Sequence, residues 1–85
     1  MPTIFQDGPY RFFFYSGDRN EPKHVHIERD DKIAKVWLEP LRLCSSGGFK
    51  RSEISSIVRI IEENREIMVE AWNDYFSDLY RNSEY

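Results

Sequence analysis

Residues 22–39, Pro-Lys-His-Val-His-Ile-Glu-Arg-Asp-Asp-Lys-Ile-Ala-Lys-Val-Trp-Leu-Glu, restrict what this chain can become more than any other stretch. Two runs of alternating residues flank an Asp-Asp pair, the pattern of a β-hairpin. With Asp30 and Asp31 as a two-residue turn, Arg29 faces Lys32, Ile27 faces Ala34 and Val25 faces Val36. The intervening pairs are Glu28 with Ile33, His26 with Lys35 and His24 with Trp37. A period of two sends the two sets to opposite sides of the sheet. Val25, Ile27, Ala34, Val36 and Leu38 then make the core side. His24, His26, Glu28, Lys35 and Trp37 make the other, which is expected to stand partly open as working surface.

A chain of 85 residues forms one domain with a modest core. Aromatic residues make up 15% of it, so a few large side chains should supply much of the burial. The formal charge of −3 is unevenly spread. Residues 1–50 carry eight Lys/Arg against seven Asp/Glu, whereas residues 51–85 carry four against eight. Charge alone therefore does not make this a nucleic-acid binder, although a local cationic face on the first half is compatible with one. Cys44 is the only cysteine, which excludes an internal disulfide and fits a reducing compartment. No signal-like start and no run near the ~20 apolar residues of a membrane span is present, so a soluble cytoplasmic protein without membrane contact is expected.

Thr3 to Gln6 reads as a short strand closed by the turn Asp7-Gly8-Pro9. Tyr10 to Ser16 reads as an aromatic strand with Tyr10, Phe12 and Phe14 in the core and Arg11, Phe13 and Tyr15 opposite. Phe13 then needs cover from Trp37 or another element. Residues 17–22 read as a polar loop, and Pro22 marks where the hairpin can begin. Pro40 should break the sheet or sit at its edge, with a brief further strand over Leu41, Arg42 and Leu43. Residues 45–49 form a Ser/Gly link that is expected to be flexible.

From about Lys50 the period changes. Ile54, Ile57, Val58, Ile61, Met68, Ala71, Trp72, Tyr75, Phe76 and Leu79 recur at helical steps. Glu62-Glu63-Asn64-Arg65 interrupts that stripe, which predicts two helices or a sharp bend, with Asn64 capping the second. Residues 81–85 should fray. The fold class is thus α+β: a three- to four-stranded antiparallel sheet (1–44) with one or two C-terminal helices (50–80) packed on one face. Trp72, Tyr75 and Phe76 are expected in the core, and Glu62, Glu63, Glu66, Glu70 and Asp74 on a solvated helix face. Cys44 is expected to be half-buried and structural.

His24-Val25-His26 is the sharpest chemical feature. Two histidines at i and i+2 on a strand point the same way, with Cβ atoms about 6–7 Å apart. Imidazole titrates near neutral pH, so either ring can carry acid–base work. The bland alternative is a solvated sheet face whose histidines simply fit the strand. A metal reading would use the row His24, His26 and Glu28. Three consecutive same-face positions converge poorly on one ion, and Lys35 repels it, so no residue is assigned to a metal and no cofactor is expected. The remaining reading is contact with RNA or phosphate, with Arg11 and Lys35 on phosphates, Tyr15 and Trp37 as stacking surfaces, and His24 and His26 as catalytic candidates for metal-free cleavage.

Met1-Pro2-Thr3-Ile4, Tyr10-Arg11-Phe12-Phe13-Phe14-Tyr15-Ser16, Glu21-Pro22-x-His24-Val25-His26, Ala34-Lys35-x-Trp37-Leu38-Glu39-Pro40 and Ala71-Trp72-Asn73-x-Tyr75-Phe76 occur in this order. Together they resemble a family of small bacterial proteins catalogued as domain of unknown function 4160. The resemblance runs over nearly the whole chain and implies no settled activity. It does imply a gene pairing like that of toxin–antitoxin systems, hence a cognate small protein as partner and, by analogy, an RNA-directed role. Lys50 departs from the small capping residue that the family tends to place after Gly-Phe, so the first helix is expected to start later, capped by Ser52. Two functions are carried forward: a toxin-like RNA-binding module, or a non-enzymatic module that docks a small protein through the same sheet face or the last helix. A histidine-based metal-binding module ranks behind both.

Overall fold

The computed structural model describes the backbone of residues 3–83 and the side chains of residues 3–77. Five strands, β1 (Thr3–Asp7), β2 (Tyr10–Phe13), β3 (His24–Arg29), β4 (Lys32–Leu38) and β5 (Leu41–Ser45), form one antiparallel sheet in sequence order. Two helices follow, α1 (Arg51–Glu63) and α2 (Arg65–Ser83). The architecture is α+β as expected, with one strand more than the sequence suggested. Pro40 sits in the turn after β4 rather than in a strand, so β5 resumes pairing and extends to Ser45.

The hairpin pairs as its alternation dictates. His24 lies opposite Trp37, Val25 opposite Val36, His26 opposite Lys35, Ile27 opposite Ala34, Glu28 opposite Ile33 and Arg29 opposite Lys32. Asp30 takes φ 57°, the left-handed conformation that Asp tolerates better than most residues. Val25, Ile27, Ala34, Val36 and Leu38 are fully buried. They join Phe12 of β2, Phe14 just beyond it, and Ile57, Ile61, Met68, Trp72 and Phe76 from the helices in one core. Glu62, Glu63, Glu66, Glu70 and Asp74 are exposed, as the stripe required. The side chain of Leu79 lies outside the described ones. α2 continues through residues 81–83, which were expected in a frayed tail, and residues 84–85 lie outside the described residues.

Several local expectations give way to better-defined structure. The Ser/Gly link is pinned: Gly47 and Gly48 take φ 59° and 92°, and a Cβ on Gly47 would stand 1.8 Å from the Ile33 carbonyl oxygen. Phe49 beyond it is buried. α1 starts at Arg51 with Lys50 at the capping position, so Ser52 lies inside the helix instead of capping it. The Glu53 carboxylate reaches back to the Lys50 N–H at 3.5 Å. The helical half breaks at Asn64, but the Asn64 amide serves the end of α1, its Nδ2 donating to the Ile60 carbonyl at 2.8 Å. Its own carbonyl then accepts the Met68 N–H at 3.1 Å and opens α2. Cys44 is exposed, because the β4–β5 register slips beside it and β5 is the sheet edge. Among the described residues, no helix is long and apolar enough to cross a membrane.

Candidate functional site

Strand parity puts His24 and His26 on one side of the sheet, and Phe13 of β2 lies opposite His26 on the same side. Over the histidines that side is covered. Residues Ser16–Asn20 form a 3-10 turn where the sequence read as a polar loop, and the turn folds back over the strand. His24 is 0% and His26 8% exposed, and the carboxylate that meets them, Asp18, is 7% exposed. The exposure expected for the two histidines is therefore corrected to burial, while Glu28, Lys35 and Trp37 on the same face stay partly exposed. Alternation says which side a residue takes, but not what a neighbouring loop places over it.

Asp18 is fixed by its own turn. Its Oδ2 accepts the Tyr15 N–H at 2.9 Å, and its N–H donates to the Tyr15 carbonyl at 3.0 Å. The same Oδ2 lies 3.1 Å from His26 Nε2, a hydrogen bond that His26 donates. His24 Nε2 is also 3.0 Å from this oxygen, yet it is buried without a hydrogen-bond partner, because the contact lacks the alignment of a donated proton. The other nitrogen explains why. His24 Nδ1 is 2.8 Å from the Pro22 carbonyl, which can only accept, so Nδ1 carries the proton. In a neutral ring Nε2 then keeps a buried lone pair beside a carboxylate oxygen and out of line with it.

The surroundings are aromatic. His26 stacks on Phe13 with ring centres 5.5 Å apart and meets the edge of Tyr15 at 4.6 Å. His24 packs against Trp37 and, across the end of the sheet, Trp72 of α2. Burial among these rings disfavours the protonated form of His26 and lowers its pKa, with the Asp18 charge pulling the other way.

The residues assigned to phosphate contact are engaged elsewhere. Arg11 holds Glu28 through Nη2 at 2.7 Å and Nε at 2.9 Å, with its guanidinium 4.2 Å above the Phe13 ring. That arrangement supplies the cover Phe13 needed. Lys35 donates to Glu21 at 2.6 Å and lies 4.7 Å from the Trp37 ring centre. The shared hydrogen bond raises the pKa of Lys35 and lowers that of Glu21. Glu28, the third member of the histidine row, turns to Arg11 and takes no part in the centre. Asp18 takes that place, and sequence reasoning missed it. Its one sequence signal is an Asp in a Gly-Asp loop next to the strand, a cue for a local turn and not for a reach onto β3.

Charge is distributed differently on the helical side. Among the described residues, Glu62, Glu63, Glu66, Glu70 and Asp74 form no ion pair, whereas Glu21, Glu28, Glu39 and Glu53 all do. At the junction of α1 and α2, Ile67 is 55% exposed beside Glu62, Glu63, Asn64, Arg65 and Glu66, three carboxylates to one cation.

A family model described as domain of unknown function (DUF4160) matches residues 10–73. A stretch of 68 residues is 38% identical to the protein phosphatase PP2A 55 kDa regulatory subunit of Drosophila melanogaster. It covers 78% of this chain, and the chain spans only 13% of that relative's length. No solved structure matches.

Proposed function

The chain belongs to the family described as domain of unknown function (DUF4160), and on that premise we propose that it is a non-enzymatic module that docks a cationic segment of a small partner protein on the outer face of α1 and α2. The observation that carries this reading is Ile67, the most exposed large apolar side chain among the described residues, beside Glu62, Glu63 and Glu66, which outnumber the one cation there, Arg65. Covering the exposed half of an isoleucine contributes about 1 kcal/mol, since full burial is worth roughly 1.5–3 kcal/mol. Each exposed ion pair adds only about 0–1 kcal/mol, so the carboxylates act mainly by steering a cationic partner and by rejecting anionic ones. The pairing with a cognate small protein implied by the family resemblance fits the same role. The RNA reading has less support, because Arg11 and Lys35 are each neutralised by a carboxylate and both histidines are covered.

Amide chemical shifts provide the test. A synthetic amphipathic Lys/Leu helix should move residues 62–70, Ile67→Ser should weaken it about three- to tenfold, and a Lys/Gly peptide should bind far more weakly. An eight-nucleotide RNA should move nothing. Movement confined to residues 11–37 on adding RNA, with residues 62–70 unmoved by the peptide, would return the function to the sheet.

A further inference from the structure

The geometry points to a metal centre that the docking face does not require: Asp18, His24 and His26 bind one divalent ion of the zinc class through Oδ2 and the two Nε2 atoms. The three donor atoms lie within 4.8 Å of one another, and all three residues are buried. Proximity alone would not distinguish a metal site from a polar cluster. The deciding feature is His24 Nε2, a fully buried nitrogen with no hydrogen-bond partner, 3.0 Å from a carboxylate oxygen but out of line with it. With its proton on Nδ1, the ring leaves an Nε2 lone pair buried with nothing to accept from. An ion set beside the Nε2–Oδ2 line gives that lone pair a bond and the carboxylate a counter-charge. The opposite side of the ring is prepared for that role, since Nδ1 donates to the Pro22 carbonyl at 2.8 Å. Metal-bound imidazoles are oriented in this way, with the second nitrogen tied to a backbone carbonyl or carboxylate.

The charge balance agrees. Asp18 is a buried carboxylate, and among the described residues no Lys or Arg pairs with it. A buried charge needs a compensating one. The ion displaces the His26–Asp18 hydrogen bond, and the His26 proton moves from Nε2 to Nδ1. Two neutral imidazoles and a carboxylate then suit zinc and its neighbours, whereas calcium and magnesium prefer oxygen-only sets. At ligand distances of about 2.0–2.2 Å the donors of a tetrahedral site stand about 3.4 Å apart. Binding therefore opens the two contacts to Oδ2, now 3.0 and 3.1 Å, by a few tenths of an ångström and narrows the gap between the imidazoles, which is within 4.8 Å. The 3-10 turn can supply that movement, as Ser16, Gly17, Arg19 and Asn20 around Asp18 are exposed. Three protein ligands leave a fourth position for water or an outside donor. The bound ion would clamp the turn onto β3.

Calorimetry with zinc chloride and untagged, chelator-treated protein at pH 7 tests the site. The expected result is one ion per chain and a Tm raised by roughly 10–20 °C at a hundredfold excess over Kd. Asp18→Ala and His24→Gln should abolish binding, and Glu28→Gln should leave it intact. Because those two variants can also fail to fold, the wild-type imidazole nitrogens are followed as well: Nε2 of both rings must shift on adding zinc while Nδ1 of His24 keeps its proton. Absence of binding heat, together with a proton on Nε2 of both rings, would overturn the proposal in favour of a His24 imidazolium paired with Asp18.

Discussion

Gly47→Ala should lower Tm by roughly 10–25 °C, on a loss on the order of 3 kcal/mol and a slope of roughly 4–8 °C per kcal/mol in a domain of this size. The added Cβ would stand 1.8 Å from the Ile33 carbonyl oxygen and 2.4 Å from its carbon. Backbone cannot swing away as a side-chain tip can, so either β4 or the link must shift. The left-handed φ of 59° adds conformational strain to that clash. Two other glycines separate the two contributions. Gly8 has φ 57° with nothing within 4 Å of an added Cβ, and Gly48 has φ 92° with only the Lys32 side chain at 3.7 Å. Alanine at either position should cost only about 1 kcal/mol, the strain alone. Thermal melts followed by circular dichroism compare the three. Equal losses would show that no close approach exists at Gly47.

Phe14→Ala should be as damaging, at about 3–5 kcal/mol, the range for emptying a buried phenylalanine site. Phe14 is fully buried just beyond β2, with ring centres 5.2 Å from Trp72 and 5.9 Å from Phe76. It is the point where the sheet grips α2. Stability in such a domain totals about 5–15 kcal/mol, so the variant sits near the threshold of folding. Amide exchange should rise first in α2, with β3 and β4 protected longest. A loss below 1 kcal/mol, or uniform exchange, would mean that Phe14 does not anchor the helix.

The hairpin was legible because one turn and one alternation determine every pair in it, and the core row from Val25 to Leu38 followed directly. The bend at Asn64 was legible for the same reason, since an interrupted stripe cannot bury both ends along a straight axis. The direction of the Asn64 cap was not, because its amide can serve either helix and tertiary geometry selects the end of α1. β5 was understated because Pro40 signals a stop, and only the fold shows that the stop is a turn. The site divides in the same way. Parity placed both histidines together, but Asp18 reaches them from eight and six residues upstream through a loop whose path depends on the assembled sheet. A loop carboxylate, a carbonyl from Pro22 and the edge of Tyr15 convert an expected surface into an enclosed centre. None of these contacts has a period that a sequence could display.

Closure of that centre is best tested by deuterium exchange at the imidazole Cε1–H, read residue by residue by mass spectrometry at pH 8. His24 and His26 should both exchange slower than free histidine by roughly an order of magnitude or more, protected by the turn that carries Asp18. Rates equal to those of free histidine at both positions would contradict the account, leaving two imidazoles exposed on an uncovered sheet.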